Sequence, residues 1–214
     1  MLNTQNLTPT DKGNLRLNYG NGLNDIRHRF IWSSIYEVPV GHGRRFNIKS
    51  RVLDAMAGGW SAGLIAELRT GTPLSPIELV NNTNSFSDGV RPNVVGDPNS
   101  LPDGRSKAQQ LAQWFNVNAF NRTASQQPAN NLITLSPTFA GLRSQAYNSS
   151  DASLLKKVKI HERLELEVRG DFLNVLNQVT FAAPNLVPTN ASFGAVTAQM
   201  NVPRRIQGML RLRF

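Results

Sequence analysis

The chain's last residues, RRIQGMLRLRF (Arg204 to Phe214), alternate without a break. Ile206, Gly208, Leu210, Leu212 and Phe214 fall on one side; Arg205, Gln207, Met209, Arg211 and Arg213 fall on the other. A period of two is the mark of a strand with two unlike faces. Here one face stays apolar up to a terminal aromatic and the other is largely cationic. The medium against the apolar face is either a protein core or lipid, and the rest of the sequence decides between them.

The same alternation recurs upstream. In RHRFIWSSIYEV (27–38), Phe30, Trp32, Ser34, Tyr36 and Val38 oppose Arg29, Ile31, Ser33, Ile35 and Glu37. In GWSAGLIAELRT (59–70), Trp60, Ala62, Leu64, Ala66 and Leu68 oppose Ser61, Gly63, Ile65, Glu67 and Arg69. A helix is conceivable there, but the glycines and the Gly-Thr-Pro stop at 71–73 favour a strand. In DASLLKKVKI (151–160), Ala152, Leu154, Val158 and Ile160 align, with Lys156 interrupting. In LELEVRGDFLNVL (164–176), Leu164, Leu166, Val168, Gly170 and Phe172 oppose Glu165, Glu167, Arg169 and Asp171. With 204–214 these make five predicted strands.

The connectors differ sharply in length. Residues 161–163 are hairpin-like, 41–58 are of moderate length, 177–202 are long, and 71–150 are very long and rich in Asn, Pro, Gly and Ser. One short helix is expected inside the longest, over 106–115 (SKAQQLAQWF). A compact water-soluble domain seldom carries so long a connector. An outer-membrane barrel does, with short turns on its periplasmic side and long loops outside. Strands of ~9–11 residues with one apolar and one polar face also satisfy the bilayer. Placing 161–163 in the periplasm puts 177–202 and 71–150 outside and the C-terminus in the periplasm; the moderate 41–58 turn fits least well.

Composition narrows the alternatives. The 214 residues are 40% hydrophobic and only 17% charged, with no cysteine. That excludes disulfides, thiolate metal sites and a Cys nucleophile. Net charge is +9, yet the basic residues are spread along the chain, so no nucleic-acid partner is expected. No stretch approaches the ~20 apolar residues of a membrane helix. The first residues lack the pattern of a signal peptide, which suggests either a soluble protein or the later part of a longer one. His28, His42 and His161 are scattered without metal-ligand spacing. Asp97, Asn99 and Asp103 with Gly104 lack the closing Glu of a calcium loop. No convergent catalytic set, Walker, Rossmann or nucleophile-elbow motif occurs. The expectation is a protein with no enzymatic activity, no cofactor and no metal.

Several stretches together carry a family likeness. DIRHRFIWSSIYEVPVGHGRRF, AGGWSAGLIAELRTGTPLSP, RPNVVGDPN, WFNVNAFNRTA, LEVRGDFLNVLNQVTFAAPN and SFGAVTAQMNVPRRIQGMLRLRF resemble strands and loops of the C-terminal part of Oar-like TonB-dependent outer-membrane receptors, a family abundant in acidobacteria and myxobacteria. The resemblance implies an all-β fold: the last five or six antiparallel strands of a barrel of about 22, whose lumen a plug fills. It also implies passage of a substrate across the outer membrane, driven by the TonB complex acting through a full-length parent. Residues 1–26 would be a leading segment with room for one partial strand, and 27–214 the barrel segment. No plug or TonB box is visible, so the chain reads as a fragment. Its partners would be outer-membrane lipid, the barrel-assembly machinery, and the plug and missing strands of the receptor.

Three groups of residues are then candidates for function. Ile206, Leu210, Leu212 and Phe214 read as the C-terminal signal for barrel insertion, against the plainer reading of an ordinary last strand. Trp32, Tyr36, Trp60 and Phe172 read as aromatic girdle residues, or else as core. Trp114, Phe115, Asn116 and Phe120 are candidate external ligand contacts, although packing of the loop onto itself is the simpler account. Arg29, Glu67, Arg69, Lys157, Lys159, Glu165, Glu167, Arg169, Asp171, Arg211 and Arg213 would line the lumen and pair across strands. The rival architecture is a soluble extracellular all-β module for carbohydrate binding or adhesion, with one strand face packed into a core.

Overall fold

The computed structural model describes residues 16, 19–76, 91–126, 138, 141–161 and 164–214. Most of the leading segment, much of the long connector and the tip of the 161–163 hairpin therefore lie outside the described residues. The chain divides into two compact units.

The first, the sheet unit, spans His28–Arg69, Ala146–Thr180 and Met200–Phe214. Its five strands are β1 (Arg29–Glu37), β2 (Trp60–Arg69), β3 (Tyr147–His161), β4 (Leu164–Leu173) and β5 (Arg205–Arg213). They lie in sequence order, every neighbour antiparallel. This is an up-and-down meander, the connectivity of a membrane barrel wall. The register puts residues of like character on one face. Ser34, Leu64, Ala152, Phe172 and Ile206 form one cross-strand row; Tyr36, Ala62, Leu154, Gly170 and Gly208 form the next. Trp60, Lys156, Val168 and Leu210 follow, then Val158, Leu166 and Leu212. A one-residue slip in any strand would turn its apolar residues to the opposite face.

Strand limits depart from the alternation where local chemistry intervenes. β3 begins at Tyr147 rather than 151, because the polar Tyr-Asn-Ser-Ser stretch pairs with the end of β2 although it shows no apolar alternation. β4 stops at Leu173 rather than 176. Asn174 adopts a positive φ of 51°, and its side-chain amide donates to the Gln178 and Val202 carbonyls at 2.9 and 3.1 Å. Asn tolerates that left-handed conformation better than most side chains. A register shift between Lys159 and His161 removes Ile160 from the aligned set.

The moderate turn between β1 and β2 holds a short helix too brief to show a period in the sequence: α1, Arg51–Ala57. No helix among the described residues is long and apolar enough to cross a membrane.

The second unit, the loop unit, draws its described residues from Met1–Arg27, Thr70–Gln145 and Phe181–Gln199. It contains α2, Lys107–Ala112, within the predicted 106–115 helix. Ser106 caps it, accepting from the Gln109 amide while the Gln109 side chain accepts from Ser106, a reciprocal capping box. Leu74, Phe115, Ala119, Phe120, Leu142 and Phe193 form its core. Two excursions of the chain thus share one interior: the Trp114 amide donates to the Gly194 carbonyl, and the Val196 amide to the Leu111 carbonyl, both at 2.8 Å.

Candidate functional site

The surface with the clearest chemical character is the wall formed by the sheet. On its apolar face Phe30, Trp32, Tyr36, Leu64, Leu68, Leu154, Val168, Ile206, Leu210 and Leu212 are all exposed. Among the described residues of the sheet unit, no second layer covers them apart from α1. A soluble sandwich or adhesion module would bury this face against another sheet. Water rarely meets so broad an apolar surface on a folded protein, so the soluble alternative gives way.

The opposite face carries paired charge, together with exposed Ile31, Ile35 and Ile65 near the β1 edge. Arg29 on β1 meets Glu67 on β2 at 2.9 Å, and Arg69 approaches the same carboxylate at 3.8 Å. Arg213 on β5 meets Glu167 on β4 at 3.3 Å, and Arg169 meets Asp171 at 2.9 Å. Lys157 stands opposite Glu167, and Lys159 opposite Glu165. Opposite charges facing one another across strands stabilise a sheet modestly. Their larger effect is to make this face suited to water and the other to lipid.

The aromatic candidates Trp32, Tyr36, Trp60 and Phe172 lie on the apolar face, but on four different cross-strand rows. In a wall of tilted strands a girdle at one depth crosses such rows, so different rows are compatible with an interfacial position. Trp60 is engaged locally: its indole N–H donates to the Met56 carbonyl at 3.1 Å, and the Lys156 ammonium lies 5.0 Å from its ring centroid. The Phe172 ring leans over Gly170, 3.5 Å from where a Cβ would stand, so the aromatic shields a backbone gap.

Lys156 is the one charged residue in the rows described above. The sequence shows it as an interruption, and the structure supplies its partners. Its ammonium donates to the Met56 carbonyl at 3.2 Å and to the Gly58 carbonyl, so it is buried beneath the end of α1. Gly59 makes this approach feasible. It has φ +69°, and any Cβ there would collide with the Lys157 carbonyl.

The C-terminal candidates are all on the apolar face. Ile206, Leu210 and Leu212 point outward from β5, an edge of the sheet, and Phe214 is exposed beyond it.

The external-ligand candidates separate. Phe115 is only 1% exposed and Phe120 3%. With Phe193 they form an edge-to-face triad whose centroids lie 5.1–5.6 Å apart. Neither ring presents a surface to a ligand; a loop this long needs its own apolar interior, and these residues supply it. Asn116 acts as a local cap, accepting from the Asn118 amide at 3.0 Å and donating to the Ser100 hydroxyl at 2.9 Å. Trp114 is partly buried, and its indole N–H is committed to the Arg143 carbonyl at 2.7 Å. It lines a shallow cleft of about 310 Å³ with Asn99, Leu101, Asp103, Arg105 and Gln110. Arg143 ties the unit together, donating to the Gly71 carbonyl at 2.8 Å and pairing with the Asp25 carboxylate. Among the described residues no three acidic or His side chains gather as a metal site would require.

No curated protein and no solved structure resembles the sequence closely enough to match. A family model described as an outer membrane beta barrel domain matches residues 2–207. The two-faced antiparallel meander and that match over most of its length agree: the chain belongs to the outer membrane beta barrel domain family and resides in the outer membrane.

Proposed function

We propose that this chain is the C-terminal wall sector of a TonB-dependent receptor of the Oar-like type, and that its parent passes a bulky substrate across the outer membrane. The observation that carries the reading is the incomplete wall. The five strands among the described residues leave β1 and β5 as edges of their sheet, whereas a closed barrel needs at least about eight. Unpaired edges are not stable in lipid, so further strands must complete the ring. A large barrel with a charged interior and elaborate external loops suits a receptor better than a narrow pore. The sequence likeness set out above supplies the receptor type. The chain itself carries out no covalent chemistry; it contributes wall, lumen charge and loop surface, and Trp114 beside its cleft is the external contact that stays open to a ligand.

The exposed Ile206, Leu210 and Leu212 on edge strand β5, with Phe214 just beyond it, support a second role. They offer apolar anchors and free backbone groups to the barrel-assembly machinery by strand addition.

Energised uptake is the test. Deleting the gene should abolish accumulation of at least one bulky nutrient, and a protonophore should do the same in the intact strain. Uptake that is lost on deletion but indifferent to the protonophore would mark a passive pore and rule out the TonB reading.

A further inference from the structure

The segment between β1 and β2 has a second, separate character. α1 is amphipathic in an unusual sense: its apolar side chains face away from the protein. Val52, Leu53 and Met56 are 70%, 57% and 69% exposed. At a helical period these three share one stripe. The side chain on the opposite side, Asp54, is the one bound inward. It accepts from the His42 amide at 2.7 Å and sits against Gly41 and Gly58, where a Cβ at either would clash with its carboxylate. Backbone groups hold the helix to the sheet, through the Met56 and Gly58 carbonyls that Trp60 and Lys156 engage, and the Asp54 carboxylate adds attraction for the Lys156 ammonium.

That attachment fixes where α1 lies. Lys156 and Trp60 are cross-strand partners on the apolar face, so the helix end rests on the outer side of the wall. β2 and β3 are both interior to the sheet, so strands added at its edges would not cover this place, and a body in the lumen would not reach it. The same stretch exposes Phe46 and carries Arg44, Arg45, Lys49 and Arg51 against a single acid, Asp54. Arg44 is paired with Glu37 at 2.9 Å.

We propose that residues 44–57 dock into the lipid leaflet at the short-turn end of the barrel. Val52, Leu53, Met56 and Phe46 enter the acyl region, and Arg45, Lys49 and Arg51 bind phospholipid phosphates. Continuity with the lipid-facing wall provides the apolar contact, and the excess of cations provides the headgroup contact. This account also explains why a lysine is tolerated on an apolar row: Lys156 fastens the docking helix. The inference rests on outer-membrane residence and is independent of the transport reading.

The chain has no cysteine, so, once any cysteine elsewhere in the full protein is replaced by serine, Val52→Cys, Met56→Cys and Lys49→Cys each give one spin-label site within outer-membrane vesicles. Labels at 52 and 56 should collide more with oxygen than with a water-soluble nickel chelate, and the label at 49 should show the reverse. Preference for the chelate at 52 and 56 would overturn the proposal, as would shielding from both reagents, which would mean that a protein covers the helix. A second measurement addresses the cations. In native mass spectra of protein extracted from vesicles containing phosphatidylglycerol, the combined variant R45Q, K49Q and R51Q should retain at least severalfold less of that lipid than the parent; equal retention would contradict headgroup binding there.

Discussion

Gly59 and Lys156 decide how the turn end of the wall is built. Gly59 must be glycine for two reasons, its positive φ and its contact with the Lys157 backbone. Gly208 sits in an extended strand with nothing within 4 Å of its would-be Cβ. Gly59→Ala should therefore destabilise the folded barrel by at least ~1–2 kcal/mol, read as a lower urea midpoint for loss of heat-modifiable migration. Gly208→Ala should leave the midpoint unchanged or raise it slightly. Lys156 acts through its hydrogen bonds. Bonds from a charged donor contribute about 1.5–3 kcal/mol, so Lys156→Met should speed amide exchange across 51–58 by tenfold or more, while the amides of β3 keep their protection. The sequence displayed Lys156 only as a break in a pattern, because its partners are carbonyls of a helix distant in the chain, and no local period encodes them.

The strands were legible because each has a two-residue period against one uniform medium. Where that contrast fades, as at Tyr147–Ser150, or where a side-chain amide takes over the backbone, as at Asn174, the limits move. α1 was hidden by its brevity: Ser50 and Gly58 bracket it, but seven residues give too little periodicity to read. The loop unit was legible in part. Its capped helix α2 follows from Ser106 and Gln109, whereas the meeting of Phe115, Phe120 and Phe193 joins positions far apart in sequence. Two predictions belong to these elements. Leu210→Arg on the apolar face of β5 should cost about 2–4 kcal/mol and sharply reduce the folded fraction in membranes; Gln207→Arg, on the polar face opposite Asp171, should be nearly neutral. In the loop unit, Phe115→Ala should cost about 3–5 kcal/mol. Limited proteolysis would then cut within 91–126 while leaving the β strands intact.

For the whole molecule the central claim is that one face of this sheet meets lipid and the other meets water. The apolar rows, the paired charges of the opposite face and the family assignment converge on it, and the lipid-docking helix and the receptor reading both presuppose the first half of it. Single-cysteine scanning along β5, from Arg205 to Arg213, with a water-soluble maleimide on membrane-embedded protein tests it most directly. The account predicts a two-residue alternation: protection at 206, 208, 210 and 212, and reaction at 205, 207, 209, 211 and 213. Uniform reaction along the strand, or protection on the arginine-bearing face instead, would contradict it.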